Sequence, residues 1–346
     1  MTETRANGRT FRYDPVMIRS LGLLLLIACD GAAAAPTPTP LPAPAPATPV
    51  VGDHACGAFS SKDLAAKEVG LLDDRIRVRF LASPKVEGNA ASVRAVVNKG
   101  GASAFVGARE LFMQGDADFA RHATKNAAFD GDYDPVTIPA RGGVSIVAGL
   151  LKAAPASSDV VSVAHGWFLN GTKDVLDVAV FISGVTAANL AECRLFAVKV
   201  LSTVTSGSRV LKYGTGATVE TKVSYATFSY VLPTDWILAS DVGIHDFARM
   251  TFRRRGIYPD GFTDLQLGLD SHPGDWGSPG GPDGTRPGKV FGLDVTWNQT
   301  KSKGMFGAWT ISKGVKGRDH AVASITSGSG ADRDAALKFA ESITAK

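Results

Sequence analysis

Two stretches of this chain lie over one another without a gap: Val178–Thr203, VAVFISGVTAANLAECRLFAVKVLST, and Ala321–Lys346, AVASITSGSGADRDAALKFAESITAK. Ile182 meets Ile325, Ala188 meets Ala331, Phe196 meets Phe339, Ala197 meets Ala340 and Val200 meets Ile343. Thr186 falls on Ser329 and Asn189 on Asp332, so both copies offer N-cap residues at matching places. Each copy reads as a last strand, a turn and a last helix whose aromatic face packs on a sheet. The chain is therefore expected to hold two related α/β (α+β) domains in tandem, each an α/β/α sandwich with a largely antiparallel sheet.

Working outward, β-branched and aromatic residues mark strands at Arg75–Leu81, Ser103–Phe112, Val160–Phe168 and Val175–Ser183. The first alternates Arg75, Arg77 and Arg79 with Ile76, Val78 and Phe80, which predicts a sheet with one wet face. Strands are also predicted at Val223–Val231, Ala248–Arg253, Asp264–Leu269, Val290–Trp297, Phe306–Ser312 and Ala321–Thr326. Helices are predicted at Asp116–Ala127, Ala188–Val204 and Ala331–Ala345. These readings set the domains at 56–207 and 208–346. Two folded units suit 346 residues once the N-terminal segments are set aside. A composition of 45% hydrophobic and 20% charged residues excludes disorder over most of the chain. A net charge of +4 is too small an excess to indicate nucleic-acid binding.

The N-terminus carries an address. Leu21–Ala28, LGLLLLIA, is too short to span a bilayer, which takes about 20 apolar residues. With Arg19 before it and small residues after it, the run has the anatomy of a secretory signal over 1–28. Leu26-Ile27-Ala28-Cys29 resembles the lipobox of bacterial lipoproteins. That resemblance implies diacylglyceryl transfer to the Cys29 thiol and cleavage before it, with anchoring by acyl chains that each add about 0.8 kcal/mol per buried CH₂. A start at Met17 gives a more compact signal, MIRSLGLLLLIAC, and is the expected initiator. Cleavage before Cys29 removes four Arg and two acidic residues and lowers the charge from +4 to +2. Residues 29–55 then form a tether: Gly31–Val50 holds seven prolines and no charge, a polyproline II spacer of about 3.1 Å per residue.

Phe228-Ser229-Tyr230-Val231-Leu232-Pro233-Thr234-Asp235-Trp236 is a strand running into Pro, a short polar step and Trp. It resembles the opening of PsbP-like domains (the Mog/DcrB type), a fold group with an antiparallel sheet between helices and a final strand and helix. The likeness covers roughly 219–346, with a fainter echo over 56–207. It implies a binding or assembly role and transfers no functional residue. Pro233 lacks an N–H and ends the ladder, so Trp236 is expected to fold back over the sheet edge.

Chemistry leaves few marks. With Cys29 acylated, Cys56 and Cys193 remain; in an oxidising compartment they are either bridged, closing a loop of more than 130 residues, or two separate buried thiols. Asp130-Gly131-Asp132-Tyr133-Asp134 has the spacing of a calcium-loop start, but Pro135 and Arg141 stand where Gly and Glu are needed, so an exposed acidic turn is expected. The six histidines have no zinc spacing, and there is no G-x-S-x-G elbow or phosphate-binding loop. No catalytic, metal or cofactor residue is assigned. His272–Lys289, HPGDWGSPGGPDGTRPGK, reads as an exposed loop in which Trp276 either tucks against its own domain or, with Asp275, Asp283 and Arg286, makes a ligand or partner contact. Arg253-Arg254-Arg255 reads as a solvated strand end.

The sequence thus predicts a lipid-anchored protein of the bacterial cell envelope with a non-catalytic binding or assembly role. Its partners are the membrane, through the lipid, and an envelope protein or small ligand, with no nucleic acid. The alternative is an envelope hydrolase with a cleft between the domains.

Overall fold

In a computed structural model of the chain, the described residues are 52–88, 92–156, 160–244, 247–270, 280–312 and 320–346. The signal peptide, Cys29 and most of the tether lie outside them, as do Asp275 and Trp276. The architecture is mostly antiparallel β-sheet with three α-helices, an α/β class.

The first large sheet runs, edge to edge, Lys85–Gly88, Ser92–Lys99, Ala102–Gln114, Asp174–Ile182, Val161–Leu169, Ser145–Leu151 and Tyr133–Pro139. The second runs Trp236–Ile244, Phe247–Arg254, Thr263–Asp270, His320–Ser327, Met305–Ile311, Leu293–Ser302 and Gly281–Val290. Both follow one rule: the first three strands meander, the seventh returns beside the third, and the sixth, fifth and fourth lie beyond it. A helix follows the seventh strand in each half, α2 at Leu190–Leu201 and α3 at Gly330–Ser342. Each half also has a small three-stranded sheet. A hairpin (Val69–Leu71 with Ile76–Val78; Thr218–Val223 with Ala226–Val231) is joined by the segment after the helix, Thr205–Ser206 in one half and Thr344–Ala345 in the other.

Period-two alternation sends one set of side chains toward each helix. Ile146, Ala148, Phe168, Leu176, Val178 and Val180 share a core with Phe196, Ala197 and Val200 of α2. Their neighbours Val147, Trp167 and Val175 face the other way, onto a third helix, α1 at Phe119–Ala127. In the second half Leu265, Leu267, Ala321, Ala323 and Ile325 pack under Phe339 and Ala340. The aligned helix positions Phe196 and Phe339, Ala197 and Ala340, Val200 and Ile343 are all buried.

Several readings are corrected. Residues 281–290 are an edge strand and not part of a loop. Pro282 and Pro287 sit in it opposite Thr300 and Thr296, and an edge tolerates residues that donate nothing to a ladder. The predicted strand Val290–Trp297 spans a hairpin turn at Phe291-Gly292, where both residues have positive φ (53° and 81°). The Arg75–Leu81 stretch supplies only a three-residue strand, Ile76–Val78. Its apolar residues point inward as expected, but Arg75 is buried as well. The strands Ser92–Lys99, Ser145–Leu151 and Trp236–Ile244 went unread. The matching caps are realised in one copy: Ser329 accepts from Asp332 N, whereas α2 starts at Leu190 with no side-chain cap. There Asn189 Oδ1 only reaches back to Thr186 N, at 2.7 Å.

The halves meet at a packed seam. Gly256–Ile257 pairs in parallel with Met113–Gln114. Tyr258, 3% exposed, packs on Phe119 of α1 with ring centroids 5.6 Å apart and accepts a hydrogen bond from Asn126. Arg253 and Arg255 of the arginine cluster lie near this seam, and all three arginines are half-buried and paired. Arg253 pairs with Asp264 and lies over the Phe112 ring, Arg254 pairs with Asp235 and Asp332, and Arg255 lies over Tyr213 with Asp174 at 3.9 Å.

Candidate functional site

An open concavity stands at the Pro-Thr-Asp-Trp step. The strand Ala226–Val231 ends before Pro233, Trp236 N donates to Pro233 O at 3.0 Å, and the chain turns into the strand that Trp236 opens. Trp236 is 2% exposed and packs on Phe339 of α3, centroids 4.9 Å apart. Burying an indole here fastens the turn to the helix. Arg254 tightens the same corner: Nε donates to Asp235 Oδ2 at 2.6 Å, and the other arm of the guanidinium reaches Asp332 at the start of α3. Between turn and helix lies an open groove of about 320 Å³, walled by Val231 and Pro233 on one side and Lys338 and Phe339 on the other. Its floor is aromatic, its rim is charged, and Val231 is 47% exposed at its edge.

Of the four residues expected to make a partner contact, Asp275 and Trp276 lie outside the described residues, and Asp283 and Arg286 lie on the edge strand Gly281–Val290. Asp283 accepts from Arg333 at 3.0 Å, and Arg286 donates to Glu341 at 2.9 Å. Both tie the edge strand Gly281–Val290 to α3, so their charges are used within the fold. Gly288, two residues beyond Arg286, has no room for a side chain, because a Cβ would lie 2.3 Å from Glu341 Oε1 and 2.6 Å from Trp297. Cys56 and Cys193 form a disulfide, with Cα atoms 4.5 Å apart. In the acidic turn, Asp134 is shared by Arg194 at 3.0 Å and Lys152 at 3.7 Å.

Two charged clusters escaped the sequence reading. Arg109 and Asp177 face each other on adjacent strands, and Arg109 Nη2 lies 2.6 Å from Asp177 Oδ2. His165 Nε2 lies 2.5 Å from the other carboxylate oxygen, its ring stacked on Phe129 and against Trp167. Burial works against the charge on Asp177, but His165 and Arg109 outweigh it and hold the carboxyl below its ordinary range. Alternation alone put all three on the α1 side of the sheet; the strand order that makes them neighbours was not legible.

The second cluster is Arg75 with Glu110, both buried. Arg75 Nη1 donates to Glu110 Oε2 at 2.8 Å, and Phe112 N donates to Oε1 at 3.0 Å. The carboxyl is nevertheless pushed up to about 7, because loss of water outweighs the nearby guanidinium. Across the seam, burial raises the Tyr213 phenol to about 12. Among the described residues no group of three or more His, Cys, Asp or Glu is placed to hold a metal ion, and no helix is long and apolar enough to cross a membrane.

No protein family matches this chain, and no curated protein does. Two solved structures are similar to it. The apo immunity protein TplEi of the T6SS from Pseudomonas aeruginosa is 7% identical, covering 80% of this chain and 96% of its own, with a TM-score of 0.21. MucB in complex with MucA(peri) is 12% identical, covering 78% and 86%, with a TM-score of 0.19. Likeness at this level carries no argument about function.

Proposed function

We propose that this chain is a lipid-anchored lipoprotein of the bacterial cell envelope, acylated at Cys29, that displays two PsbP-like units on a Pro/Ala tether and serves a non-catalytic binding or assembly role. The Cys56–Cys193 disulfide carries the location, because such bonds persist in oxidising compartments and are rare in the cytosol. It agrees with the secretory signal and lipobox upstream. The repeated strand order supports the tandem units. The groove beside Trp236, a concave surface with an aromatic floor and a charged rim, supports the binding role.

The test is metabolic labelling with radioactive palmitate, with and without the signal peptidase II inhibitor globomycin. Labelled protein in the membrane fraction, a longer labelled precursor under globomycin, and loss of label in Cys29→Ser are expected. Unlabelled protein with its N-terminus intact overturns the proposal.

A further inference from the structure

Helix α2 carries a peptide element that has no equivalent on α3 among the described residues. The alignment that pairs Phe196 with Phe339 sets Glu192 on Ala335, Cys193 on Ala336 and Leu195 on Lys338. In the first half α2 packs against Ala55–Cys56 and the Ser61–Asp63 turn. Cys56 is bonded to Cys193, His54 Nδ1 lies 3.2 Å from Glu192 Oε2, and Phe59 is 1% exposed. The chain then runs along the end of the hairpin, where Ala65 N donates to Phe80 O and Leu64 bridges Leu81.

The second half keeps only the later part of this arrangement. Gly216 N donates to Leu232 O and Gly214 N to Trp236 O, as Ala65 does in the first half. Upstream of them the chain turns back to the first half: Gly207 N donates to Arg75 O and Arg209 N to Asp74 O. Among the described residues, no element like the 54–61 hairpin packs on α3, and the groove lies along α3 at Ala335, Lys338, Phe339 and Ser342.

We propose that this groove docks a short peptide segment of a partner protein, which lays an apolar side chain against Val231, Pro233 and Ala335, over the buried Trp236 and Phe339, and sets a carboxylate beside Lys338. The class of occupant follows from the first half, where a peptide element burying Cys56 and Phe59 does the same work. The charge follows from the rim. Arg254 is already matched by Asp235 and Asp332, whereas Lys338 has no ion-pair partner among the described residues. The acid that meets His54 in the first half is replaced here by Ala335, and an apolar position by the cation Lys338, so the charge preference of the site is reversed. This inference deepens the binding role proposed above and rests on it.

The test uses the full chain, purified from membranes in detergent, and fluorescence anisotropy of labelled peptides. The probe has the sequence of residues 54–65 with Cys56→Ser and Lys62→Glu. The chain's own copy stays on α2 through its disulfide, so the added peptide has only the α3 groove to enter. Saturable binding is expected. Ala335→Trp, which puts an indole into the groove, and Val231→Asp, on the opposite wall, should each weaken it at least tenfold without changing the far-UV circular dichroism. Lys338→Glu should weaken this peptide and favour the version that keeps Lys62. Binding that neither wall substitution reduces puts the site elsewhere, overturning the groove while leaving the binding role standing. No binding of either peptide overturns peptide docking, and palmitate labelling of Cys29 is decided independently.

Discussion

Replacing both Cys56 and Cys193 with alanine removes the bond that holds the start of the first half on its last helix. The bridge joins positions 137 residues apart. In the chain-entropy description, closing a loop of that length stabilises the folded state by about 5 kcal/mol, and native bridges lose roughly 2–5 kcal/mol on removal. Both sulfurs are buried, at 1% and 0% exposure, so alanine is the better replacement. A serine hydroxyl without a partner there would add a desolvation cost of about 1–3 kcal/mol and confuse the reading. A loss of about 3–5 kcal/mol is expected. With a urea slope of about 2 kcal/mol/M for a unit of this size, the first-half transition moves down by about 2 M. Urea unfolding followed by tryptophan fluorescence measures this, with unreduced and reduced wild type as bracketing controls. Limited proteolysis should also cut earlier within residues 54–61. A double variant whose midpoint stays within 0.3 M (about the error of such a titration) of the unreduced wild type would refute the reasoning.

Two further outcomes concern the buried ion pair. Arg75→Met leaves the Glu110 carboxylate buried without its countercharge and should cost about 3–5 kcal/mol at pH 8; Arg75→Met combined with Glu110→Leu should recover most of that, and a double-mutant cycle in urea decides it. Burial pushes the Glu110 carboxyl up to about 7 in the folded state, from an ordinary value of 4.5. The folded state therefore holds this proton more tightly, so the stability linked to it is full below pH 4.5 and is lost as the pH rises through 7, by roughly 3 kcal/mol in all. Glu110→Gln should flatten that part of the pH–stability curve. Asp177, held low, acts with the opposite sign in the acid range, where its contribution fades as the pH falls.

Local pattern was enough to find the last strand and last helix of each half, because a period of two running into a period near 3.6 depends only on near neighbours. The gap-free overlay of Val178–Thr203 on Ala321–Lys346 placed Phe196 and Phe339 in buried, matching positions. The edge strand Gly281–Val290 defeated the same reading. Its glycines and prolines carry turn preference, and only pairing with Leu293–Ser302 makes it a strand. At the groove, Pro233 and Trp236 were legible as a ladder's end and a buried anchor. The space between them and α3 was not, because it is formed by residues 231–236 and 335–342, which lie about a hundred residues apart in the chain.

The sequence by itself determined the lipobox and tether reading, the repeated ending and the α/β class, all of which rest on residues close together in the chain. It also narrowed Cys56 and Cys193 to a bridge or two thiols. Tertiary structure alone decided that choice, along with the pairing of Arg75 with Glu110, the seating of Arg253, Arg254 and Arg255, the 54–61 hairpin on α2 and the open groove on α3. Each depends on which distant segments meet, and strand order sets that, whereas residue preference acts only over a few neighbours.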